Sequence, residues 1–556
     1  MIRLNTNGFF LSVLLSILVP MQELHAQQHE CVQSKIPPID QNDIHSLTLT
    51  NCELHEIPSL LIGFNALKQL DLSNNLIRYT SFEYIPYLQV LNLSYNKLVS
   101  VDKAIELMQE LEVLYLDHNA LTKIPERIGE VQSLKVINLA ANQLTHLPEA
   151  LSMLVALDSL NFESNQIENI PPSISQLSAL RYLQGASNEI TSIPASLWAM
   201  PLLSYVDFSE NKLNDEGLLI KNINSSLKIL HLEGNQLRKF PVAIGKAEAL
   251  EYLNLSSNEL DAFGDISAGF ESVKTLLLNW NKLPNLPKSI GQFIQLEWLE
   301  VENNQIKEID PAIGLLKHLT VLKLSDNLIR QIPEELLKLN TLTKLYLGGN
   351  QIKILPESWD GLINLHTLDL SRNELQQLPA GFSGLTILET LNLRENNIHE
   401  FPSNFAQLKQ LKELDLGENQ ISYIIPEISK LTALTSLKLD GNLLQKIEEE
   451  LVQLSQLEIL ELDGNSISQL PKTIGAMKAL RYLSLNGNQL KKLPEAIGEL
   501  EQLTHLYLDG NLLKKLPDSI GNLKHLKTLS LSKNLLSFQE QQRIKSLVPE
   551  DCIVIF

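Results

Sequence analysis

Tyr182, Tyr205, Tyr252 and Trp298 fall in one register of the chain, with Ile229 and Thr275 completing the series at steps of 23 or 24 residues. His231, Leu277 and Trp280 follow the same register a few positions on. Aromatic residues make up only 6% of the 556-residue chain, so composition does not supply this concentration. Rings of this kind bury a large area at small side-chain entropy cost, which suits contact with a protein or a carbohydrate. Cross-strand aromatic packing that only stabilises a sheet is the competing use of the same residues. Tyr482, His505 and Tyr507 form a smaller group of the same type.

Carboxylates are the second candidate chemistry. Lys plus Arg number 45 against 65 Asp plus Glu, a formal charge of -20. Nucleic-acid binding draws on phosphate neutralisation, so this balance excludes it as an expectation, whereas a basic or neutral partner surface is easier to accommodate. Asp440, Asp463 and Asp509 recur in an LDGN tetrapeptide, but Asn486 breaks the series, and calcium needs six to eight oxygens around one point. No Walker loop, HExxH, GxSxG or Cys–His pair beyond chance is present. The expectation is therefore a non-catalytic protein with no cofactor and no metal. Its three cysteines, Cys31, Cys52 and Cys552, make neither a disulfide scaffold nor a zinc site. Cys31 and Cys52 could close a short loop in an oxidising compartment, and two or three free buried thiols fit equally well.

The elements that position these residues are read from an asparagine ladder. From Asn75 to Asn534 an asparagine returns nearly every 23 residues, each closing a nonapeptide LxxLxLxxN, with Cys52 holding the same place earlier. That makes 22 repeats over residues 44–536. In the nonapeptide the fourth and sixth residues share one face of a short strand, and the third, fifth and seventh share the other. Stacked repeats then build a parallel sheet with leucines inside. The asparagine can donate and accept at once, which suits buried turn groups. LxxLP or IxxIP follows, as in Leu470-Pro471, and the proline suits the start of a short convex segment.

This pattern resembles the leucine-rich repeat family over about nine-tenths of the chain, the run LEILELDGNSISQLPKTIGAMKA at 457–479 being a full example. The Leu-Pro and Ile-Gly pairs are similar to the 23-residue subclass of Ras-pathway scaffolds, plant Ras-group-related repeat proteins and many bacterial secreted proteins. The resemblance implies an α/β solenoid, a leucine-rich repeat horseshoe with a concave parallel β-sheet and convex short helices or 3-10 segments. The aromatic series then faces the concave surface, and Tyr182, Tyr205, His231, Tyr252, Leu277, Trp280 and Trp298 become the candidate partner-binding residues. The fifth and seventh positions add 13 acids against three bases, Lys323, Arg394 and Lys438.

One repeat departs from the pattern. LRYLQGASN, 180–188, has Gly185 where a large hydrophobe belongs, and Phe162 and Phe208 are the only phenylalanines in that column. Two Leu-to-Phe exchanges add more carbon than one Leu-to-Gly exchange removes, so the two rings are expected to fill the gap.

The ends complete the expected organisation. Arg3, an apolar run over 9–19 too short to span a bilayer, and a small residue at Ala26 predict an export signal over 1–26. A membrane anchor or buried first helix is the other reading. Residues 27–43 are expected to cap the repeats, and 537–556 to close them with a helix opened by Ser537-x-x-Glu540, turning Phe538, Ile544, Leu547 and Val548 inward. No later stretch is apolar for long enough to cross a membrane. The expected protein is exported (secreted, periplasmic or at a cell surface, with a bacterial source favoured) and binds a protein or glycan. A structural or adhesive surface component without one specific ligand is the alternative, as is an intracellular signalling scaffold if the leader is kept.

Overall fold

The computed structural model describes residues 31, 32, 34, 35, 43–264, 266 and 269–556, so the expected leader lies outside the described residues. The chain divides into two units, Met1–Glu259 and Leu260–Phe556. Each is a solenoid of stacked repeats with one short parallel strand apiece. Among the described residues, ten strands of three residues run from Ser46–Thr48 to Tyr252–Asn254 in the first unit. Thirteen more run from Thr275–Leu277 to Ile553–Ile555 in the second. Pairing is parallel and in step, so Leu183, Val206, Leu230 and Leu253 meet their counterparts from repeat to repeat. These fourth-position residues are fully buried, as are most sixth-position ones, because strand alternation turns both inward.

The convex connections are 3-10 segments of three to five residues, commonly with proline at the N-cap, as Pro494 before Glu495–Glu499. Proline already holds the extended backbone that the cap requires, and the third segment residue, here Ile497, is buried. The asparagines act as the pattern implies. Asn188 donates through Nδ2 to the carbonyls of Phe162 and Ala186, 3.0 Å each, and accepts at Oδ1 from Ile167 N–H at 2.9 Å. One side chain thus ties the turn of its own repeat to the preceding one. The residue before each asparagine adopts the left-handed region, for example Ser187 at φ 52° and Glu210 at φ 53°.

Gly185 is a repacked core position. A Cβ built on it would stand 2.6 Å from Cζ of Phe162 and 3.0 Å from Cε1 of Phe208, and both rings are fully buried. Phe162 fills most of the gap and Phe208 closes it from the other side. Gly185→Leu is therefore expected to lower stability by about 1–3 kcal/mol through overpacking. Adding Phe162→Leu and Phe208→Leu should restore most of it in thermal and urea melts, and a triple variant no better than the single one would refute the compensation.

At the two ends the structure settles one open alternative and corrects one expectation. Cys31 and Cys52 are joined by a disulfide with Cα atoms 5.7 Å apart, and Cys52 N–H donates to Asn75 Oδ1. The C-terminal helix Phe538–Leu547 is capped by Ser537, whose side chain accepts from Glu540 N–H. Ile544 and Val548 turn inward, Leu547 is half-buried, but Phe538 is 74% exposed. Glu540 and Arg543 dictate that register. Glu540 Oε1 accepts from Leu516 N–H at 3.0 Å while Arg543 pairs with Glu540 and Asp518. Holding that face against the last repeat points the first helical residue away.

Candidate functional site

In the first unit the strands Tyr182–Gln184, Tyr205–Asp207, Ile229–His231 and Tyr252–Asn254 lie side by side. Their third and fifth positions place four rings in a row. Tyr182 and Tyr205 have centroids 6.4 Å apart, Tyr205 and His231 5.6 Å, and His231 and Tyr252 4.9 Å, all tilted. Tyr182 is exposed and the others half-buried, so the row is a surface ladder supported from below by the leucine core.

Carboxylates flank it. Asp207, the register partner of His231, accepts at Oδ1 from Ser209 N–H (2.9 Å) and Oγ–H (2.6 Å). Glu233 Oε2 lies 3.4 Å from His231 Nδ1 as an ion-pair contact, yet this buried oxygen accepts no well-directed hydrogen bond. Burial, then the charge of Asp207, pushes the Tyr205 phenol up. For His231 burial alone would push the imidazole down, but Glu233 and Asp207 outweigh it and the net shift is upward. A histidine with a raised folded pKa contributes stability that is fully present below its unfolded value of about 6.5 and lost as pH rises through the folded value. The His231 ring resonance should thus titrate above about 6.5. Wild-type stability should fall more than that of His231→Gln across that window in pH-dependent melts. A midpoint below about 6.5 would contradict the arrangement.

The remaining candidates belong to the second unit. Leu277 is half-buried at a fifth position of the strand Thr275–Leu277. Trp280 is 63% exposed, but strand alternation is not the reason: it precedes Asn281 and sits in the left-handed turn at φ 57°. Trp298 is held in a polar network. Its Nε1–H donates to Glu300 at 2.8 Å, Asn279 donates to the same carboxylate at 2.6 Å, and Lys323 Nζ pairs with it at 2.7 Å. The Lys323 ammonium also lies 5.4 Å from the Trp298 ring centre and 6.0 Å from that of Tyr346, a residue the aromatic series had not included. Burial would raise the Glu300 carboxyl, but Lys323, Trp298 and Asn279 together hold it below its ordinary value.

Internal pairing engages three more cations of this unit, Arg372, Arg394 and Lys438. Arg394 reaches past one whole repeat to Asp440 in a two-point contact of 3.0 and 2.7 Å. It crosses Gly417, where a Cβ would stand 2.6 Å from Asp440 Oδ1. Arg372 and Asp326 make the same two-repeat reach at 2.8 Å over Gly349. Lys438 lies 3.7 Å from Glu461. The LDGN carboxylates are engaged likewise: Asp463 accepts from Ser484 and Asn486 N–H, and Asp509 from Ser530 and Ser532 N–H. Tyr482, His505 and Tyr507 cluster with centroids 5.3–6.3 Å apart.

The likenesses to known proteins agree with this construction. Two family descriptions match: "Leucine-rich repeat region" at 357–463 and 442–548, and "Leucine rich repeat" at 77–121, 109–167, 225–283 and 294–352. No curated protein sequence matches significantly. Among solved structures the chain is similar to the plant peptide hormone receptor RGFR1 in complex with RGF2, at 26% identity and a TM-score of 0.64. That likeness covers 86% of this chain and 83% of the receptor chain. It is also similar to the Arabidopsis receptor kinase HAESA in complex with the peptide hormone IDA and the co-receptor SERK1, at 26% identity and a TM-score of 0.61 over 93% of each chain. No helix among the described residues is long and apolar enough to cross a membrane.

Proposed function

Since this chain belongs to the leucine-rich repeat family, we propose that it is an exported, non-catalytic scaffold that holds a protein partner on the concave face of its first unit. The observation that carries this reading is the four-ring ladder from Tyr182 to Tyr252. One exposed and three half-buried rings on a hydrogen-bonded sheet offer a preformed contact, so little ordering entropy is lost when a partner covers them. Three strand steps of about 4.8 Å make the ladder roughly 14 Å long, a length that suits a short extended segment. Two similar structures hold peptide hormones, which supports a peptide or protein rather than a small molecule as the partner. Export is supported by the Cys31–Cys52 disulfide, since such bonds persist in oxidising compartments. An intact Met1 on the isolated native protein would overturn export; a mature start near Gln27 is the expected result.

The test of the binding site is capture of the partner from native extracts by wild type and by Tyr205→Ser, Tyr252→Ser. A Tyr482→Ser, Tyr507→Ser variant in the second unit serves as the control. Loss of capture only in the first variant supports the site. Undiminished capture defeats it and leaves a structural or adhesive component as the better reading. Trp298→Ser is kept as a separate variant, because its bond to Glu300 ties it into local structure as well as surface.

A further inference from the structure

The two units treat concave charge differently. In the second, Lys323, Arg394 and Lys438 each pair with a neighbouring carboxylate. In the first, the third, fifth and seventh positions of the repeats ending at Asn75 to Asn258 hold Asp71, Asp117, Glu163, Asp207 and Glu233 and not one lysine or arginine. Lys68, Lys135, Arg181 and Lys228 stand one residue before strands of this unit, and the first three are tied to Glu110, Glu112 and Asp158 at 2.6, 2.7 and 2.9 Å. The first unit therefore presents carboxylates with no lysine or arginine among them at these positions, and its ring ladder occupies the last four of its ten described strands.

Glu233 sharpens the argument. Its Oε2 is sealed from solvent, but the side chain as a whole is 27% exposed, so a partner's N–H has the other carboxylate oxygen to bond. His231 Nδ1 occupies the sealed side of that carboxylate, 3.4 Å from Oε2. The rings of Tyr205 and Tyr252 stand on either side of His231, and Asp207 is its register partner. Of the cationic side chains, a guanidinium satisfies all of these at once. It is planar, stacks on aromatic faces, forks onto a carboxylate and sheds water more readily than an ammonium.

We infer that the first unit's ladder receives an arginine side chain of its protein partner, the guanidinium lying over the tyrosine rings beside His231 and donating to Glu233. This rests on the concave-face reading proposed above. Protonation of His231 competes for the same carboxylate, so binding should strengthen as pH rises through the histidine's titration. The charged or titratable groups facing that ring are Asp207 and Tyr205 on one side, Tyr252 on the other, and Glu233 on its own repeat.

The probe is the peptide Ac-GGRGG-NH2, with its lysine and citrulline counterparts, titrated against the full chain carrying 13C-labelled histidine. Saturable movement of the His231 resonance is expected with the arginine peptide. Binding should be weaker by at least about threefold with lysine and absent with uncharged citrulline. Glu233→Gln should weaken the arginine peptide by about tenfold or more, while Glu461→Gln in the second unit leaves it unchanged. Equal binding of citrulline or lysine, or an unchanged affinity in Glu233→Gln, overturns the assignment. An equal loss in Glu461→Gln would show diffuse attraction by net charge and overturn it too. The native partner separates this from the broader reading. Capture lost in Tyr205→Ser, Tyr252→Ser but kept in Glu233→Gln overturns only the arginine; capture kept in both overturns the concave face itself.

Discussion

A chain carrying Tyr205→Ser and Tyr252→Ser is expected to remain folded and to lose its partner by about three orders of magnitude in affinity. Truncating one ring at the centre of an interface typically costs at least about 2 kcal/mol, and two together about 4 kcal/mol, or roughly 1000-fold. The same change removes the Tyr182–Tyr205, Tyr205–His231 and His231–Tyr252 contacts, each worth about 0.5–1.5 kcal/mol to the fold. Val206, Leu230 and Leu253 beneath the ladder stay buried and untouched, as do Asn211 and Asn235. The three contacts together put the stability loss at about 1.5–4.5 kcal/mol, so affinity and stability have to be measured side by side. Equilibrium binding and a melt on the same sample decide the matter: a sharply lowered melt with unchanged affinity would make the ladder a sheet-stabilising feature.

How much of this was legible in the sequence depends on the range of each interaction. The strands, the buried leucines and the asparagine bonds follow from the nonapeptide, because alternation and the 23-residue step involve only a repeat and its neighbour. Gly185 was legible for the same reason: Phe162 and Phe208 occupy its column in the adjacent repeats. Trp280 is exposed, but not on the expected ground. Its outward course comes from the left-handed turn before Asn281, a backbone property that a period-two rule does not contain. Phe538 failed because helical spacing cannot say which face docks, and a polar pair, Glu540 with Arg543, made that choice at Leu516. Least legible were the pairs that skip a repeat. Arg394 with Asp440 and Arg372 with Asp326 each need a glycine between them, so the readable signal was a gap, at Gly417 and Gly349, rather than a charge. Within the site, the tyrosines and His231 were singled out, whereas Glu233 entered only as one acid among 13; its contact with His231 and the burial of one of its oxygens depend on side-chain geometry.

Substitution within the asparagine ladder is expected to have the largest effect on stability, and its pH dependence identifies the cause. Asn211 is buried, donates to the carbonyls of Gly185, Phe208 and Ser209 at 3.0, 3.2 and 2.9 Å, and accepts from Ile190 N–H at 3.0 Å. Asn211→Leu fills a similar volume but strands the Ile190 N–H and removes three further bonds. One buried unsatisfied donor costs about 1–3 kcal/mol and each lost bond about 0.5–1.5, so a loss of about 3–5 kcal/mol is expected after the apolar gain of leucine is set against it. Asn211→Asp keeps the shape and the Ile190 bond, yet aims a carboxylate at three carbonyl oxygens. That arrangement favours the protonated acid and raises its folded pKa above the unfolded value of about 3.9. Its stability is thus fully retained below about pH 3.9 and lost as pH rises through the folded value, opposite to the usual salt-bridged aspartate. Asn211→Leu should show no such added slope relative to wild type. Because repeats unfold in neighbouring groups rather than all at once, amide hydrogen exchange in the repeats ending at Asn188, Asn211 and Asn235 is the proper readout. Faster exchange confined to those repeats, rising with pH beyond the intrinsic rate only in Asn211→Asp, is the expected pattern. Equal and pH-independent losses in both variants would mean that the asparagine acts through packing volume and not through its donors.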